Sequence, residues 1–401
     1  MTGVTKEILQ HMTNMVQDLK QRGILKSPNI KRAFLSIPRH LFINRLPPLF
    51  LGNRTGWTPI DPFNMPSKCL EKIYCADIGI QLKPPPPASS SAPAIMALML
   101  EAADLTAGLR VLEIGTGSGY NTSLIMHIIG DQNLVYTVEN QRSIMQEARE
   151  NLQRVSLQDA NVIYADGGYG YKAGAPYDRI IATASIYDIP VSWYEQLAEG
   201  GSIIAPVWMS PGWMPIVRLV KNQGKLTGSI VDGASFMAMQ GDFGYDEFRH
   251  IIDTSVDKKI KDLLETSPVK KNIQLPIHIE QGYNEFAHFM DFNAFVHMVY
   301  PNARGLRYIA KRKIAWLSLW DEDLYSLCAL WVPDWKIEVY GNDKMYYQLL
   351  KLIDQWEKLG FPEVSKYNIS VSIQTEYLKK KKGNIFAQFR SWNMWEFSLT
   401  I

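Results

Sequence analysis

Residues 111–120 read Val-Leu-Glu-Ile-Gly-Thr-Gly-Ser-Gly-Tyr, and the fold turns on them. Arg110, Val111 and Leu112 predict a strand that runs into Glu113. Gly115, Gly117 and Gly119 then alternate with Thr116 and Ser118 in a turn, and Tyr120 leads into a helix-like run, Asn121–Ile129. Glycine at every second position lets the backbone pass close beneath a ligand, because no Cβ intervenes. The helix that follows aims its first amides at the same place. A dinucleotide fingerprint would need its third glycine at position 120, which is Tyr120. The spacing therefore argues against NAD and for an adenosyl ligand without a pyrophosphate. An ordinary tight strand-to-helix turn would use the same residues without any ligand.

Working outward, strands are expected at 110–114, 134–139, 162–165, 178–183 and 202–207, with helices at 121–129, 141–155 and 189–198. Gly200-Gly201 is expected to break the chain before the last strand. Alternation of this kind implies an α/β fold, a doubly wound and mostly parallel sheet. Ligands of such sheets bind outside the carboxyl ends of the strands. Two of those ends carry acids. Glu139 falls 20 residues after Gly119 and suits a pair of ribose hydroxyls. Asp166, followed by Gly167-Gly168, suits an adenine amino group, with neighbouring amides for the ring nitrogens. A helix cap or a turn would explain either acid alone; their order after the glycine turn favours a site.

Before the sheet, residues 5–50 read as helical, with Ile8, Met12, Met15, Val16 and Leu19 on one face and a second helix from Ser27-Pro28. Lys83–Pro93, with four consecutive prolines and then Ser89–Ser91, predicts a stiff polyproline rod, either an interdomain spacer or an edge of the ligand crevice. Beyond about residue 242 aromatics become dense and the pattern changes. A helix is expected at about 343–359, then a hairpin of Ser370–Tyr377 and Ile385–Phe389 turning at Lys379–Lys382 and Gly383. The expected division is a first domain over 1–241, made of a helical N-terminal segment over 1–83, a proline- and serine-rich loop over 84–93 and a ligand-binding core over 104–232; the resemblance given below implies that this domain is catalytic and that its loop meets the substrate. A C-terminal α+β domain over 242–401 is a candidate for peptide recognition.

The charge balance, 42 basic against 40 acidic residues, offers no global field to draw nucleic acid or a membrane, and neither is expected as a partner. The three cysteines are scattered and give neither a metal spacing nor a disulfide framework. The seven histidines suggest no metal cluster or catalytic triad, and His40, His127 and His288 are expected to be structural. No apolar run reaches the roughly 18 residues that span a bilayer. The N-terminal stretch lacks the apolar core of a signal peptide, so a cytoplasmic location is expected.

Taken together these features resemble the class I S-adenosylmethionine-dependent methyltransferases, with their Rossmann-like sheet, and above all the protein-L-isoaspartate O-methyltransferases. Ile37-Pro-Arg-His-Leu-Phe looks like that family's V-P-R-H-x-F segment, and Ser90-Ser-Ala-Pro-Ala-Ile-Met-Ala like its substrate loop. Residues 111–120 resemble its first motif. Tyr177-Asp-Arg-Ile-Ile-Ala-Thr-Ala and Gln196-Leu-Ala-Glu-Gly-Gly-Ser resemble two more. The resemblance implies that S-adenosylmethionine is held by Glu113, Gly115, Thr116, Gly117, Ser118, Gly119, Tyr120, Glu139, Asp166 and Gly167. It further implies that a loop carrying Ser90 and Ser91 closes over peptide and cofactor. Three departures stand out: Ala94-Ile95-Met96 where the repair enzymes often carry a histidine, the prolines, and a chain that runs on where those enzymes end. With Ser235-Phe-Met-Ala-Met-Gln-Gly, they resemble two-domain members that tailor ribosomally made (RiPP) peptides. That resemblance implies methylation of an aspartate side chain in a precursor peptide, leading to aspartimide or isoaspartate. A carboxyl of pKa about 4 is already ionised at neutral pH, so no general base is required. The alternatives are a general isoaspartate repair enzyme, and a non-catalytic peptide-binding protein on the same fold.

Overall fold

In the computed structural model, which describes residues 4–50, 56–246, 251–275, 285–300, 302–332, 336–372, 385–389 and 393–399, Val111–Ile114 is a strand buried along its whole length. That burial fits the centre of a parallel sheet covered on both faces. It pairs in parallel with Val135–Glu139 on one side and with Tyr177–Ala182 on the other. Asn161–Tyr164 extends the first side and Leu197–Pro206 the second, again in parallel. Pro215–Asn222 continues antiparallel from Leu197–Pro206. The chain therefore starts in the middle of the sheet, builds outward one way, and then reverses. The crevice lies where the order reverses, past Ile114 and Ala182.

The chain forms two compact units. The first holds residues 1–206, 216–226 and 234–244; the second holds 207–215, 227–233 and 245–401. In the first, helix Lys6–Gln21 is capped by the Thr5 hydroxyl and buries the expected face, Ile8, Met12, Met15, Val16 and Leu19. Helix Pro28–Ser36 begins with proline, whose missing N–H costs nothing there. Ser27 does not cap it; its hydroxyl donates to Glu101 at 2.6 Å. Helix Tyr120–Ile129 follows the glycine turn and is stopped by Gly130 at φ +79°.

Two expectations in this unit are corrected. Gly200-Gly201 does not break the chain: strand Leu197–Pro206 runs through it, with a register shift against Tyr177/Arg179. The preceding helix is correspondingly shorter, Val191–Gln196. The proline run is not a rod. Ile80–Lys83 and Ala88–Ser90 pair antiparallel, Ile80 opposite Ser90 and Gln81 opposite Ser89, and the prolines are the connection that folds one strand back on the other. Backbone pairing on both flanks outweighs the intrinsic preference of proline for extension.

The second unit has a six-stranded sheet in the order Ile251–Asp253, Arg304–Tyr308, Lys313–Asp321, Ser326–Val332, Lys336–Gly341, Lys271–Gln274. The first pair is parallel and the rest antiparallel. Helices Glu285–Val299 and Lys344–Lys358 pack on it through Phe289, Phe292, Phe295, Leu349, Ile353 and Trp356. Helix Lys258–Thr266 contributes to a second cluster with Leu306, Leu327 and Trp331. The aromatic density of this region is therefore largely its own core. The expected terminal hairpin is corrected: Tyr367–Ser372 and Ile385–Phe389 do not pair with each other, because Met394–Leu399 lies between and pairs antiparallel with both. Buried Trp395 and Phe397 suit this inner position. The expected turn, Lys379–Gly383, and residues 373–377 of the expected first arm lie outside the described residues.

Of the three histidines expected to be structural, His40 is buried with Nδ1 2.8 Å from the Tyr74 hydroxyl, and His288 is buried with its ring 4.7 Å from that of Trp356. His127 departs from expectation and lies exposed on its helix. No described helix is long and apolar enough to cross a membrane.

Candidate active site

A cleft opens at the carboxyl ends of the central strands. Its walls come from the glycine turn (Gly115, Gly117), the end of the second strand (Glu139 to Gln141), Gly167, Thr183-Ala184, the hairpin at Pro87–Ser89, and Met237–Gln240. A smaller cavity shares Ser89, Gly115, Gly117 and Thr183 with it, and adds Ser90, Ser91, Met96, Met99 and Phe236. The serines expected to meet the substrate and the glycines expected to meet the cofactor thus line adjoining spaces.

The turn has no room for side chains. Gly115 sits at φ +96°, and a Cβ there would stand 2.6 Å from Thr183 Oγ1, which donates to the Gly115 carbonyl. At Gly117, φ +54°, a Cβ would stand 3.0 Å from the Ser89 carbonyl. Gly167 is constrained in the same way by Ile114, whose Cγ2 fills the space that a Cβ would need.

Glu139 is nearly buried at the cleft wall. Its Oε2 accepts from the Gly117 amide at 3.1 Å and its Oε1 from the Gln141 amide at 3.0 Å. Burial pushes its pKa up, while these amides and Lys83 oppose the shift. The carboxylate is thereby aimed and partly dehydrated, as suits a partner for vicinal hydroxyls. Asp166 behaves differently. Its Oδ1 accepts from the Gly168 amide at 2.9 Å and its Oδ2 from the Asp242 amide at 2.6 Å, and it is not on the cleft wall. It fixes the turn that brings Gly167 there.

The remaining sequence candidates divide. Thr116 and Ser118 line the smaller cavity, and Thr116 Oγ1 lies 2.8 Å from Thr137 Oγ1. Glu113 lies beneath the turn, fully buried, and lines neither cavity. Its carboxylate accepts from Asn121 at 2.8 Å, Thr137 at 2.8 Å and the Thr122 hydroxyl. Burial pushes its pKa up to about 7 against these bonds. Its expected contact with the cofactor is therefore corrected to support of the turn. Gly119 abuts Leu152, and Tyr120 is buried against Phe34 and Phe42, so neither faces a cavity. The ten positions expected to hold the cofactor are thus divided between cavity walls and core.

Ser90 is 3% exposed, and its Oγ has no hydrogen-bond partner among the described residues. Ser91 is half-buried. Sequence reading missed Thr183, Gln141 and Met237–Gln240 as wall residues. Thr183 and Met237–Gln240 fall inside motifs already singled out, so the signal was present. Gln141 carried none: its Nε2 donates to the Pro87 carbonyl at 3.0 Å and its Oε1 accepts from Lys83 at 2.9 Å, tying the hairpin to the cleft.

With this geometry in hand, comparison with known proteins is direct. The sequence profile described as protein-L-isoaspartate(D-aspartate) O-methyltransferase matches residues 70–242. A protein-L-isoaspartate O-methyltransferase of Pyrococcus horikoshii is 35% identical over 244 residues, covering 60% of this chain and 98% of that protein. One from Thermotoga maritima is 35% identical over 191 residues, covering 47% of this chain and 53% of its own. A solved protein-L-isoaspartate O-methyltransferase has the same fold with a TM-score of 0.51 at 24% identity, over 90% of this chain and 96% of its own. The Pyrococcus relative ends with the catalytic region, as expected, whereas the likeness to the solved enzyme runs on into the C-terminal region. The Rossmann-like class I methyltransferase fold is established, and S-adenosylmethionine is the methyl donor that the cleft, the glycine turn and Glu139 fit. On the strength of an alignment spanning nearly the whole of its Pyrococcus relative, the chain belongs to the protein-L-isoaspartate(D-aspartate) O-methyltransferase family.

Proposed function

We propose that this protein methylates an aspartyl-type side-chain carboxylate, isoaspartyl or aspartyl, in a peptide lying against Ser89–Ser91. The observation that carries this reading is the shared wall: Ser89, Gly115, Gly117 and Thr183 line both the cleft at the strand ends and the serine cavity. When bound, S-adenosylmethionine supplies an electrophilic methyl group. The protein's own work is to hold the acceptor. A carboxylate is already ionised at neutral pH and needs no proton removed. Ser90, buried and with no hydrogen-bond partner for its hydroxyl among the described residues, donates to it in this reading. Met96, Met99 and Phe236 exclude water around it, and orientation with partial drying supplies the rate. In the ester so formed, the next backbone nitrogen attacks the side-chain carbonyl, methanol leaves, and a succinimide closes.

Within this reading, a dedicated precursor peptide of a ribosomal natural product is favoured over general repair. Its support is the apolar Ile95-Met96 beside the serine loop, where the repair enzymes often carry histidine. The C-terminal unit does not discriminate, because a solved enzyme with the repair name shares the fold over 90% of the chain. The test offers labelled S-adenosylmethionine with a short isoaspartyl peptide, its aspartyl twin, and a precursor peptide encoded beside this gene. Labelling confined to the precursor supports dedication, and equal labelling of any isoaspartyl peptide supports repair. No labelling of any carboxylate defeats the reading.

The two halves of the site separate by mutation. Ser91→Ala lowers kcat roughly fivefold with cofactor Kd unchanged, the scale of one hydrogen bond. Asp166→Ala releases the Gly167 turn and raises cofactor Kd by roughly fivefold while leaving peptide KM in place. Equal loss of cofactor binding in both variants contradicts this division.

A further inference from the structure

The segment Ile37-Pro-Arg-His-Leu-Phe has so far no role in the chemistry, yet it holds the least expected side chain in the first unit. Arg39 is fully buried. Its Nη1 donates to the Ile73 carbonyl at 2.6 Å. Its Nη2 donates to the carbonyls of Ser91 at 2.9 Å and Ile78 at 3.1 Å, and reaches that of Ser90 at 3.4 Å. All these partners are neutral, and among the described residues no carboxylate pairs with it. Burial pulls its pKa down to about 10, so it stays charged at neutral pH. A buried cation without a counter-ion is costly, and a chain that needed only a structural peg would do better with an apolar side chain.

The carbonyls it holds show where the charge is felt. Two of them belong to Ser90 and Ser91, which line the acceptor cavity. A carbonyl bonded to a guanidinium makes the N–H of the same peptide unit a stronger donor, here the amides of Ser91 and Ala92. We propose that Arg39 is the positioning cation of the acceptor site: from behind the serine loop it fixes Ser90 and Ser91 and gives the loop a positive potential that selects a carboxylate over its neutral carboxamide. The inference rests on the carboxylate-acceptor reading above. The placement has a chemical logic. A guanidinium touching the substrate would occupy the oxygen lone pairs that must attack. One peptide layer away, it draws the anion in and leaves those lone pairs free.

The experiment takes whichever of the isoaspartyl, aspartyl and precursor peptides the wild type methylates, and measures its Kd and that of its carboxamide twin, with S-adenosylhomocysteine present, alongside methylation of the carboxylate peptide. In the wild type the carboxylate binds tighter by roughly ten- to fifty-fold, the scale of one charge about 7 Å away in a partly screened site. Arg39→Met reduces that ratio to below about threefold, and Arg39→Lys restores most of it. Cofactor Kd moves little in either, which a collapse of the loop would not allow. Arg39→Gln, which keeps a donor for the carbonyls but removes the charge, gives the same comparison if the methionine variant does not fold. A wild-type ratio in Arg39→Met or Arg39→Gln, or equal binding of both peptides by the wild type, overturns the role. A wild type that methylates none of the isoaspartyl, aspartyl and precursor peptides removes the acceptor reading and this role with it, whereas turnover with an unchanged ratio overturns the role alone.

Discussion

Glu139→Ala weakens S-adenosylmethionine binding roughly a hundredfold, the loss of two charge-assisted hydrogen bonds to ribose hydroxyls. The residue ends its strand inside the cleft wall, and two backbone amides fix the plane of its carboxylate. Folding suffers little, because the burial that raises its pKa also makes its charge a burden to the folded state. Glu139→Gln keeps the shape and one acceptor, and loses roughly tenfold. Calorimetric Kd values for the two variants, with melting temperatures alongside, check both statements. An alanine variant that binds the cofactor within about threefold of wild type would place the ribose elsewhere.

Glu113 makes the second large prediction, and it concerns stability. Its pKa is about 7 in the folded protein against 4.5 for an ordinary glutamate. Between those values the folded state holds a proton that the unfolded chain releases. The contribution is therefore fully present below about pH 4.5 and is lost as pH rises to about 7. From pH 5 to pH 8 the wild type loses roughly 2–3 kcal/mol relative to Glu113→Gln, which cannot ionise. Urea unfolding of both proteins at several pH values reads this difference directly. A flat difference, or one that grows in the opposite direction, shows that the three donors from Asn121, Thr122 and Thr137 outweigh burial.

What the sequence made legible followed from local rules. The parallel sheet was readable because strand and helix alternate at fixed lengths, and Glu139 because a strand end is a predictable place. The proline hairpin was not, since proline runs favour extension and only the pairing of Ile80 with Ser90 overrides that. Glu113 was misplaced for a related reason. Its neighbours in sequence are cleft residues, but alternation along a strand turns its side chain to the opposite side, where Asn121 and Thr122 wait at the start of the next helix. Gln141 was invisible because its role depends on a hairpin about fifty residues away. The order of the C-terminal strands was likewise set by burial of Trp395 and Phe397 rather than by a turn signal.

One contact described earlier carries further than its size suggests. The bare α-carbon of Gly117 lies against the Ser89 carbonyl so closely that even a methyl group would press on it. Whatever seats itself under the first is consequently sensed by the second. Any factor by which donor binding alters the affinity for the acceptor is returned in the same measure, whichever arrives first. Titrating S-adenosylhomocysteine with and without peptide, and peptide with and without S-adenosylhomocysteine, reads that single number twice.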